Sequence, residues 1–396
     1  MSSEDEDEQF VGDEHGLHGD GEVVADLVGD DMHQDEEESN DEDEGVPENA
    51  YPDHDDSIHT FDGHRGAIFS VAWHPASDLV ASGSADDRIF MWQVGDETGG
   101  STRELTGHTD TVGVLAFNTA GTLLASGGLD GKVGIWDTST GQCKHMLEGP
   151  DGSIEWAQWH PKGDVILAGS DDFTAWLWNA QTGTCMQVFT GHSGAVTCGQ
   201  FTPDGRLVVT AGGENDCTIR VWDPKTGSCV HTTQGAHFHS VGITALAISA
   251  DSVTALTGAE DGSAYLTNIQ SGRLLGSLPG HTDSVEAARM AHMLPLSATA
   301  GVDGKLIIWD TASLSARATC QHPEAIVGMQ LHPSKPLILT ACLDGQLRCW
   351  DARNGACVKV YSGHTEGIQA LALSPDGSKA ITGSDDSTVR IFALDV

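Results

Sequence analysis

One aromatic residue returns at nearly constant intervals through most of this chain of 396 residues. It ends a short apolar stretch and stands at Trp92, Trp136, Trp178, Trp222, Trp309, Trp350 and Phe392, with Thr267 in the remaining place. The successive intervals are 44, 42, 44, 45, 42, 41 and 42 residues. A period of about 40–45 residues is typical of four-stranded blades arranged radially. The eight repeats therefore predict an all-β, eight-bladed β-propeller.

Within each repeat, short apolar runs alternate with turn sequences. In the second repeat, residues 112–117 suit a buried inner strand, and residues 123–127 and 133–136 follow as further strands. Triplets such as Pro203-Asp204-Gly205 have the residue types that tight turns require. Because no segment shows sustained helical periodicity, only strands and turns are expected.

The two ends of the repeat region complement each other. Residues 388–396 finish on the third strand of the last repeat, whereas residues 57–61 resemble an isolated fourth strand. We expect strand 57–61 to pair with the last blade and close the ring, because closure removes exposed sheet edges. The predicted domains are a propeller over residues 57–396 and an N-terminal tail over residues 1–56.

The charge of the chain is concentrated in that tail. Residues 1–56 contain 24 Asp or Glu and no Lys or Arg, and the whole chain has a formal net charge of −40. With few apolar groups to offset the entropy of ordering, the acidic tail is predicted to be disordered. Neither bare nucleic acid nor an anionic membrane is an expected partner, because affinity for both depends on Lys and Arg. A solubilising role and the attraction of a basic partner both fit the tail.

Signals for compartment favour the cytoplasm, with the nucleus as the second candidate. No apolar run approaches 18 residues, and the N-terminus is acidic, so neither a transmembrane helix nor a presequence is expected. The nine cysteines include no Cys-x-x-Cys pair and are expected to be reduced. We expect a monomer.

Polar residues recur in register with the aromatic marker. Three sets match closely: His64, Ser82, Asp86 and Trp92; His108, Ser126, Asp130 and Trp136; and His281, Thr299, Asp303 and Trp309. Together with the Gly-His and Trp-Asp pairs, they resemble the WD-repeat family over about 340 residues. The resemblance implies that each set forms a buried, hydrogen-bonded structural tetrad. This fits the rule that buried polar groups persist when they are paired.

Recurrence in successive blades favours this structural interpretation over a hydrolytic Ser-His-Asp triad, and no Gly-x-Ser-x-Gly elbow accompanies it. The sequence also has no phosphate-binding Gly-x-x-x-x-Gly-Lys-Ser/Thr loop and no His-Glu-x-x-His motif. We therefore predict no enzyme activity, no catalytic residue, no cofactor and no metal site.

A binding site is expected at the narrow top of the propeller channel. Residues that flank the start of each inner strand, or precede a tetrad Asp, should line it; they include Phe69, Glu155, Asp171, Glu260, Glu286 and Asp385. No Lys or Arg is among them. Such a face suits an Arg- or Lys-rich segment through charge-assisted hydrogen bonds. The alternative is that these are ordinary solvated charges of an acidic protein.

A closer resemblance rests on particular blades. Residues 155–161 (EWAQWHP), residues 86–92 (DDRIFMW), Trp176-Leu177-Trp178 and the acidic leader resemble the angio-associated migratory cell protein family. That family includes the fungal dedicated chaperone of a large-subunit ribosomal protein, an acidic eight-bladed propeller that holds the basic N-terminal segment of its client. The resemblance implies a non-enzymatic platform that escorts a basic ribosomal protein into large-subunit assembly. Because animal members are linked to cell migration and signalling, a signalling scaffold is an alternative.

Another class of function rests on one short motif. Trp350-Asp351-Ala352-Arg353, with Asp344 upstream, resembles the Trp-Asp-x-Arg box of substrate receptors for cullin ubiquitin ligases. Cys349 departs from this pattern, since an aliphatic residue is usual there. Trp222-Asp223-Pro224-Lys225 shows how readily similar boxes arise in repeats of this kind.

Overall fold

Eight four-stranded antiparallel sheets make up the repeat region in the computed structural model of this protein. The structure describes residues 54–95, 101–235, 237–291 and 294–396. Most of the predicted disordered tail, residues 1–53, lies outside these described residues. The predicted all-β, eight-bladed propeller is confirmed.

The first four blades follow one another along the chain, each running from an inner to an outer strand. Blade 1 contains β2 (Ile68–Trp73), β3 (Leu79–Ser84), β4 (Ile89–Gln93) and β5 (Arg103–Leu105). Blade 2 contains β6 (Val112–Phe117), β7 (Leu123–Gly128), β8 (Val133–Asp137) and β9 (Cys143–Leu147). Blade 3 contains β10 (Ile154–Trp159), β11 (Val165–Ser170), β12 (Thr174–Asn179) and β13 (Thr184–Thr190). Blade 4 contains β14 (Val196–Phe201), β15 (Val208–Gly212), β16 (Ile219–Trp222) and β17 (Cys229–Thr233).

The next three blades repeat this order. Blade 5 contains β18 (Ile243–Ile248), β19 (Thr254–Ala259), β20 (Ala264–Asn268) and β21 (Arg273–Ser277). Blade 6 contains β22 (Val285–Met290), β23 (Leu296–Gly301), β24 (Lys305–Asp310) and β25 (Ser315–Gln321). Blade 7 contains β26 (Ile326–Leu331), β27 (Leu337–Cys342), β28 (Leu347–Asp351) and β29 (Cys357–Tyr361).

Blade 8 combines strands from both ends of the repeat region. It contains β30 (Ile368–Leu373), β31 (Lys379–Ser384) and β32 (Val389–Ala393), and its outer strand is β1 (Ser57–Phe61). Phe61 is opposite Val389, and Ser57 is opposite Phe392. The inner strand β2 packs beside both β6 and β30, so blade 1 meets blade 8 and the ring is closed.

The residues just before β1 also belong to this closure. The Ser57 amide donates to Asp55 Oδ1 at 2.9 Å, and the Asp55 carboxylate forms a salt bridge with Arg390. The Ser362 amide donates to Asp56 Oδ2 at 2.9 Å. Blade 8 is therefore joined to the end of the outer strand of blade 7 by residues that precede β1.

The periodic aromatic residue lies between blades. Trp136, Trp178, Trp222 and Trp309 are among the largest fully buried side chains, and each packs into a cluster with the preceding blade. An indole removes a large apolar area from water, so one residue per repeat stabilises each junction between blades. The packing explains why the period of the marker equals the period of the fold.

In blade 5, the junction with the preceding blade is packed without a tryptophan. Thr267 occupies the marker position and is buried. Phe238 and Tyr265 fill the junction with blade 4, their ring centroids 5.5 Å apart. Two aromatics from other positions thus replace the missing indole.

Among the described residues, no helix has the length and apolar character needed to cross a membrane. Within the same residues, no cluster of three or more His, Cys, Asp or Glu side chains is arranged to hold a metal ion.

Candidate partner-binding face

The recurring polar sets form hydrogen-bond chains beside the start of the inner strands. In blade 2, Trp136 Nε1 donates to Ser126 Oγ at 2.8 Å, which lies 2.7 Å from His108 Nε2. His108 Nδ1 lies 3.1 Å from Asp130. An indole N–H is only a donor, so the serine proton is directed at Nε2 and His108 carries its proton on Nδ1. Each donor in the chain therefore meets an acceptor, and blade 6 repeats this arrangement with His281, Thr299, Asp303 and Trp309.

In blade 1 the set is incomplete, which corrects the expectation of four linked residues. His64 bonds Ser82 at 2.8 Å and Asp86 at 3.1 Å. Within the described residues, the buried Trp92 Nε1 has no hydrogen-bond partner. The indole instead stacks on Phe61 of β1, with ring centroids 4.3 Å apart.

Further blades carry sets that the sequence reasoning did not assemble. Blade 4 joins His192, Thr210, Asp216 and Trp222; blade 8 joins His364, Thr382 and Asp386; blade 7 joins His322, Thr340 and Trp350; blade 5 joins His239, Thr257 and Ser263. His239 and His322 follow Phe238 and Gln321, so the Gly-His pair could not reveal them. Their constant spacing of 18 residues from Thr257 and Thr340 was the available signal.

The carboxylate of the blade 6 tetrad is held in its ionised form. Burial would raise the pKa of Asp303, but hydrogen bonds from His281 and from the Thr282 amide outweigh it and hold the pKa at about 2. Burial lowers the pKa of His239 and of His322 to about 4, against the opposing effects of Asp261 and Asp344. His239 bonds both Ser263 and Thr257, whereas His322 bonds Thr340 through Nε2 and its buried Nδ1 has no hydrogen-bond partner among the described residues. These bonds within the blade indicate a structural role.

A bulge at the second residue of every inner strand forms the first of two rings at the mouth of the channel. We call the face where the inner strands begin the top face. The register shifts at this residue in all eight blades, and the eight residues form the bulge ring: Phe69, Gly113, Glu155, Thr197, Thr244, Glu286, Val327 and Gln369. A bulged residue is unpaired and its side chain is re-aimed. Phe69, for example, is 41% exposed.

A second ring, which we call the turn ring, lies directly beside the first. Its members follow the second strand of each blade: Ala85, Leu129, Asp171, Gly213, Glu260, Val302, Leu343 and Asp385. In every blade the amide of this residue donates to the carbonyl just before the inner strand, at 2.8–3.2 Å. The same hydrogen bond thus places eight residues next to the bulge ring.

The structure places all six predicted site residues in these two rings. Phe69, Glu155 and Glu286 belong to the bulge ring, and Asp171, Glu260 and Asp385 belong to the turn ring. Blade 3 contributes Glu155 and Asp171 together, whereas the other members come from blades 1, 5, 6 and 8. The rings contain five acidic side chains and no Lys or Arg among their sixteen members.

Local hydrogen bonds orient some of the carboxylates. Ser153 Oγ donates to Glu155 Oε1 at 2.9 Å, and Ser284 Oγ donates to Glu286 Oε1 at 2.6 Å. In blade 8, Gln369 Nε2 donates to Asp385 Oδ2 at 2.7 Å. These neutral donors fix the carboxylates without cancelling their charge.

The basic side chains nearby do not neutralise the rings. Arg88 pairs with Glu104 at 3.4 Å, Lys132 with Glu148 at 3.3 Å, and Lys305 with Asp303 at 3.1 Å. Among the described residues, none of the five ring acids takes part in a salt bridge. The five charges are therefore available to a ligand.

Apolar residues share the rings with these acids. Leu129, Val302 and Leu343 of the turn ring are exposed, and so is Phe173 two residues after Asp171. The sequence reasoning missed them because it compared charges at these positions and not exposed apolar groups. Their arrangement favours a ligand that presents basic and apolar side chains together.

The eight repeats match the family model "WD domain, G-beta repeat" over residues 55–93, 99–137, 141–179, 183–223, 227–268, 272–310, 315–351 and 355–392. The fold and its repeated tetrads thus define a WD-repeat propeller. The human angio-associated migratory cell protein is 33% identical over 356 residues, which cover 86% of this chain and 80% of the relative. This chain belongs to the WD-repeat family and, within it, to the family of the angio-associated migratory cell protein.

Two further comparisons are informative. An uncharacterized WD repeat-containing protein of Schizosaccharomyces pombe is 34% identical over 183 residues, 44% of this chain and 46% of that protein. The crystal structure of Chaetomium thermophilum Sqt1 bound to the N-terminus of the ribosomal protein L10 has a TM-score of 0.77 and 24% identity. It covers 86% of this chain and all of that one. This structural likeness shows a shared fold.

Proposed function

We propose that this protein is a non-enzymatic binding platform that escorts a basic ribosomal protein during large-subunit assembly. Its top face would grip a basic segment of that client in the cytoplasm. The observation that carries the proposal is the set of five unpaired carboxylates in the two rings. The structure of Sqt1 with the N-terminus of L10 adds support, since that propeller has the same fold.

The rings match such a segment in chemistry. Arg and Lys donate charge-assisted hydrogen bonds to carboxylates, and the oriented Glu155 and Glu286 present fixed acceptors. Phe69 offers an exposed aromatic face, on which a guanidinium or ammonium group can stack. Acids in blades 3, 5, 6 and 8 are distributed around the channel, so one extended segment can contact several of them.

Charge reversal at the two oriented glutamates tests this proposal. Glu155→Lys combined with Glu286→Lys should weaken binding of a fluorescein-labelled peptide from the N-terminus of L10 by about tenfold or more, measured by fluorescence anisotropy. The variant Glu104→Lys with Glu148→Lys changes the net charge equally at the outer edge and should bind normally. Equal affinity of the two double variants would refute the top-face site.

Affinity capture from cell extract tests the class of partner. One basic ribosomal protein, recovered with the unmodified chain and reduced by the Glu155→Lys/Glu286→Lys substitutions, is the expected result. Capture of a cullin adaptor that depends on Arg353 would instead favour a ubiquitin-ligase receptor. In this structure Arg353 Nη2 is paired with Asp351 at 2.6 Å.

A further inference from the structure

Two aromatic side chains of the propeller are left exposed, and both lie on the top face. Among the described residues, Phe69 is 41% exposed and Phe173 is 47% exposed, whereas every other Phe, Trp or Tyr side chain is buried or partly buried. Neither residue belongs to any of the eight apolar clusters found in the described part of the chain. Phe69 is a member of the bulge ring, whereas Phe173 lies outside both rings and its exposure has no explanation in the packing of the blades.

The backbone conformation at Phe173 does not suit an aromatic residue. In every blade except blade 4, the residue two positions after the turn-ring member has a φ between 62° and 79°. Glycine takes this place in blades 2, 5, 6 and 7, and a short polar residue takes it in blades 1 and 8. Phe173, with a φ of 74°, is the bulky member of this set. A bulky side chain in this left-handed region strains the backbone.

The space at this position is limited as well. An added Cβ on Gly131 of blade 2 would lie 3.0 Å from the Gly152 carbonyl oxygen, and one on Gly304 of blade 6 would lie 2.8 Å from that of His322. Both carbonyls belong to the loop that leads into the next blade. A phenylalanine at this turn position therefore carries a strain that burial in a cluster does not offset. Because strained residues are concentrated at functional sites, Phe173 is a candidate contact residue.

The surroundings of Phe173 attract a cation. The four top loops of blades 3 and 4 contain no Lys or Arg; they are residues 148–153, 171–173, 191–195 and 213–218. Asp171, in the same turn as Phe173, is exposed, and the nearby Glu155 is held by Ser153. The Asp171 carboxylate lies over Gly152, where an added Cβ would be 1.7 Å from Oδ1. Charge complementarity at this part of the top face therefore favours a basic side chain.

An aromatic ring beside a free carboxylate distinguishes arginine from lysine. A guanidinium group is planar, so its face can stack on a ring while its edge donates two hydrogen bonds to a carboxylate. A lysine ammonium is a compact and strongly hydrated charge, which gains less from an aromatic face. The combination of Phe173 with Asp171 therefore suits arginine better.

We propose that Phe173 and Asp171 form an arginine-selective contact on the top face. One arginine of a bound basic segment would stack on the Phe173 ring and donate to the Asp171 carboxylate. The contact extends the binding face from the two rings to the start of the third strand of blade 3. It rests on the function proposed above, because the arginine belongs to the basic segment that the face would grip.

Two short, capped and fluorescein-labelled peptides test the proposal with the full-length protein. Arg alternates with Ala in one peptide, and Lys alternates with Ala in the other, so their charges are equal. Phe173→Leu keeps an apolar side chain but removes the ring. It should lower the affinity for the Arg peptide about fivefold and that for the Lys peptide less than about twofold, measured by fluorescence anisotropy.

Two control variants frame this result. Phe173→Trp keeps an aromatic face and should preserve the affinity for the Arg peptide. Met186→Leu changes a side chain on the outer strand of blade 3 that is 48% exposed, and should leave both affinities unchanged.

Phe173→Gly separates a contact role from a packing role. Because glycine suits a φ of 74°, the melting temperature should stay the same or rise by about 1–2 °C. The affinity for the Arg peptide should nevertheless fall about fivefold. A melting temperature lowered by several degrees would show that the ring packs within the fold and would overturn the proposal.

Glu155→Lys combined with Glu286→Lys distinguishes this contact from the binding face as a whole. If that double variant weakens binding of both peptides while Phe173→Leu changes neither affinity, the contact at Phe173 is refuted and the binding face stands. Equal losses for the two peptides in Phe173→Leu would refute the selectivity for arginine. If neither peptide binds the unmodified protein, the arginine contact is refuted, and the L10 peptide alone then decides the proposed function.

Discussion

A single hydroxyl in each complete tetrad serves two neighbours. Ser126 Oγ accepts from Trp136 and donates to His108, whereas Ser82 Oγ, in the equivalent place of blade 1, bonds only His64. Ser126→Ala leaves two buried groups without partners and should lower the free energy of unfolding by about 2–5 kcal/mol. Ser82→Ala should cost less, by roughly 1–3 kcal/mol. Chemical denaturation of both variants measures this difference, and equal losses would contradict the assigned hydrogen bonds.

Two buried histidines give the stability of the propeller a defined pH dependence. The folded pKa of His239 and of His322 is about 4, whereas an unfolded histidine has a pKa of about 6.5. The unfolded chain therefore binds more protons between these values. The stability that neutral histidines contribute is complete above pH 6.5 and is lost as the pH falls towards 4.

The variant His239→Gln/His322→Gln should reduce this loss. Each histidine contributes a slope of up to about 1.4 kcal/mol per pH unit within the window. Denaturation midpoints between pH 7 and pH 4.5 give the slope, and His237→Gln, at an exposed histidine, controls for the loss of an imidazole. A slope that the double variant leaves unchanged would contradict the role of these two residues.

At the scale of strands, closure of the ring depends on the short β1. Its residue Phe61 stacks on Trp92 and lies 5.2 Å from Phe90, ring centroid to ring centroid, so it joins blade 8 to blade 1. Phe61→Ala should lower the free energy of unfolding by about 2–4 kcal/mol through lost packing. Ile58→Ala in the same strand removes a side chain that is 55% exposed and should cost under about 0.5 kcal/mol. Thermal melting of the two variants compares them, and similar losses would argue against a closure held by Phe61.

The period of the marker residue made the strands predictable, because each repeat buries the same aromatic against the preceding blade. The packing of repeats that lack the marker residue was harder to predict, since the residues that replace it lie at other positions in the repeat. Phe238 and Tyr265 fill the space that an indole would occupy if Thr267 were a tryptophan. His239 forms the hydrogen bond of the tetrad histidine, to Thr257, although no glycine precedes it. Such replacements conserve volume and hydrogen bonds but not sequence position.

For the candidate site, alignment of the repeats identified the ring positions, because the bulge and the turn hydrogen bond recur in all eight blades. The exposed Leu129 and Leu343 were missed because only charges were compared at these turn positions, and the sequence does not distinguish an exposed apolar residue from a buried one.

At the scale of the whole propeller, acidic side chains from several blades meet on the top face. The top rings hold five acids and no Lys or Arg among their sixteen members. Long-range attraction at such faces depends on ionic strength.

The dependence of affinity on salt separates the electrostatic from the apolar contribution to peptide binding at the top face. The Debye length falls from about 30 Å at 0.01 M to about 3 Å at 1 M ionic strength, so attraction between ring acids and a basic peptide is progressively screened. Affinity for the L10 peptide should fall steadily as NaCl rises from about 50 to 500 mM, and the slope should be shallower for Glu155→Lys/Glu286→Lys. Contacts of the peptide with Phe69 and Leu129 should leave a residual affinity that salt does not remove, because burial of apolar area is not screened. Anisotropy titrations at several salt concentrations measure both parts, and an affinity indifferent to ionic strength would contradict a binding face built from these carboxylates.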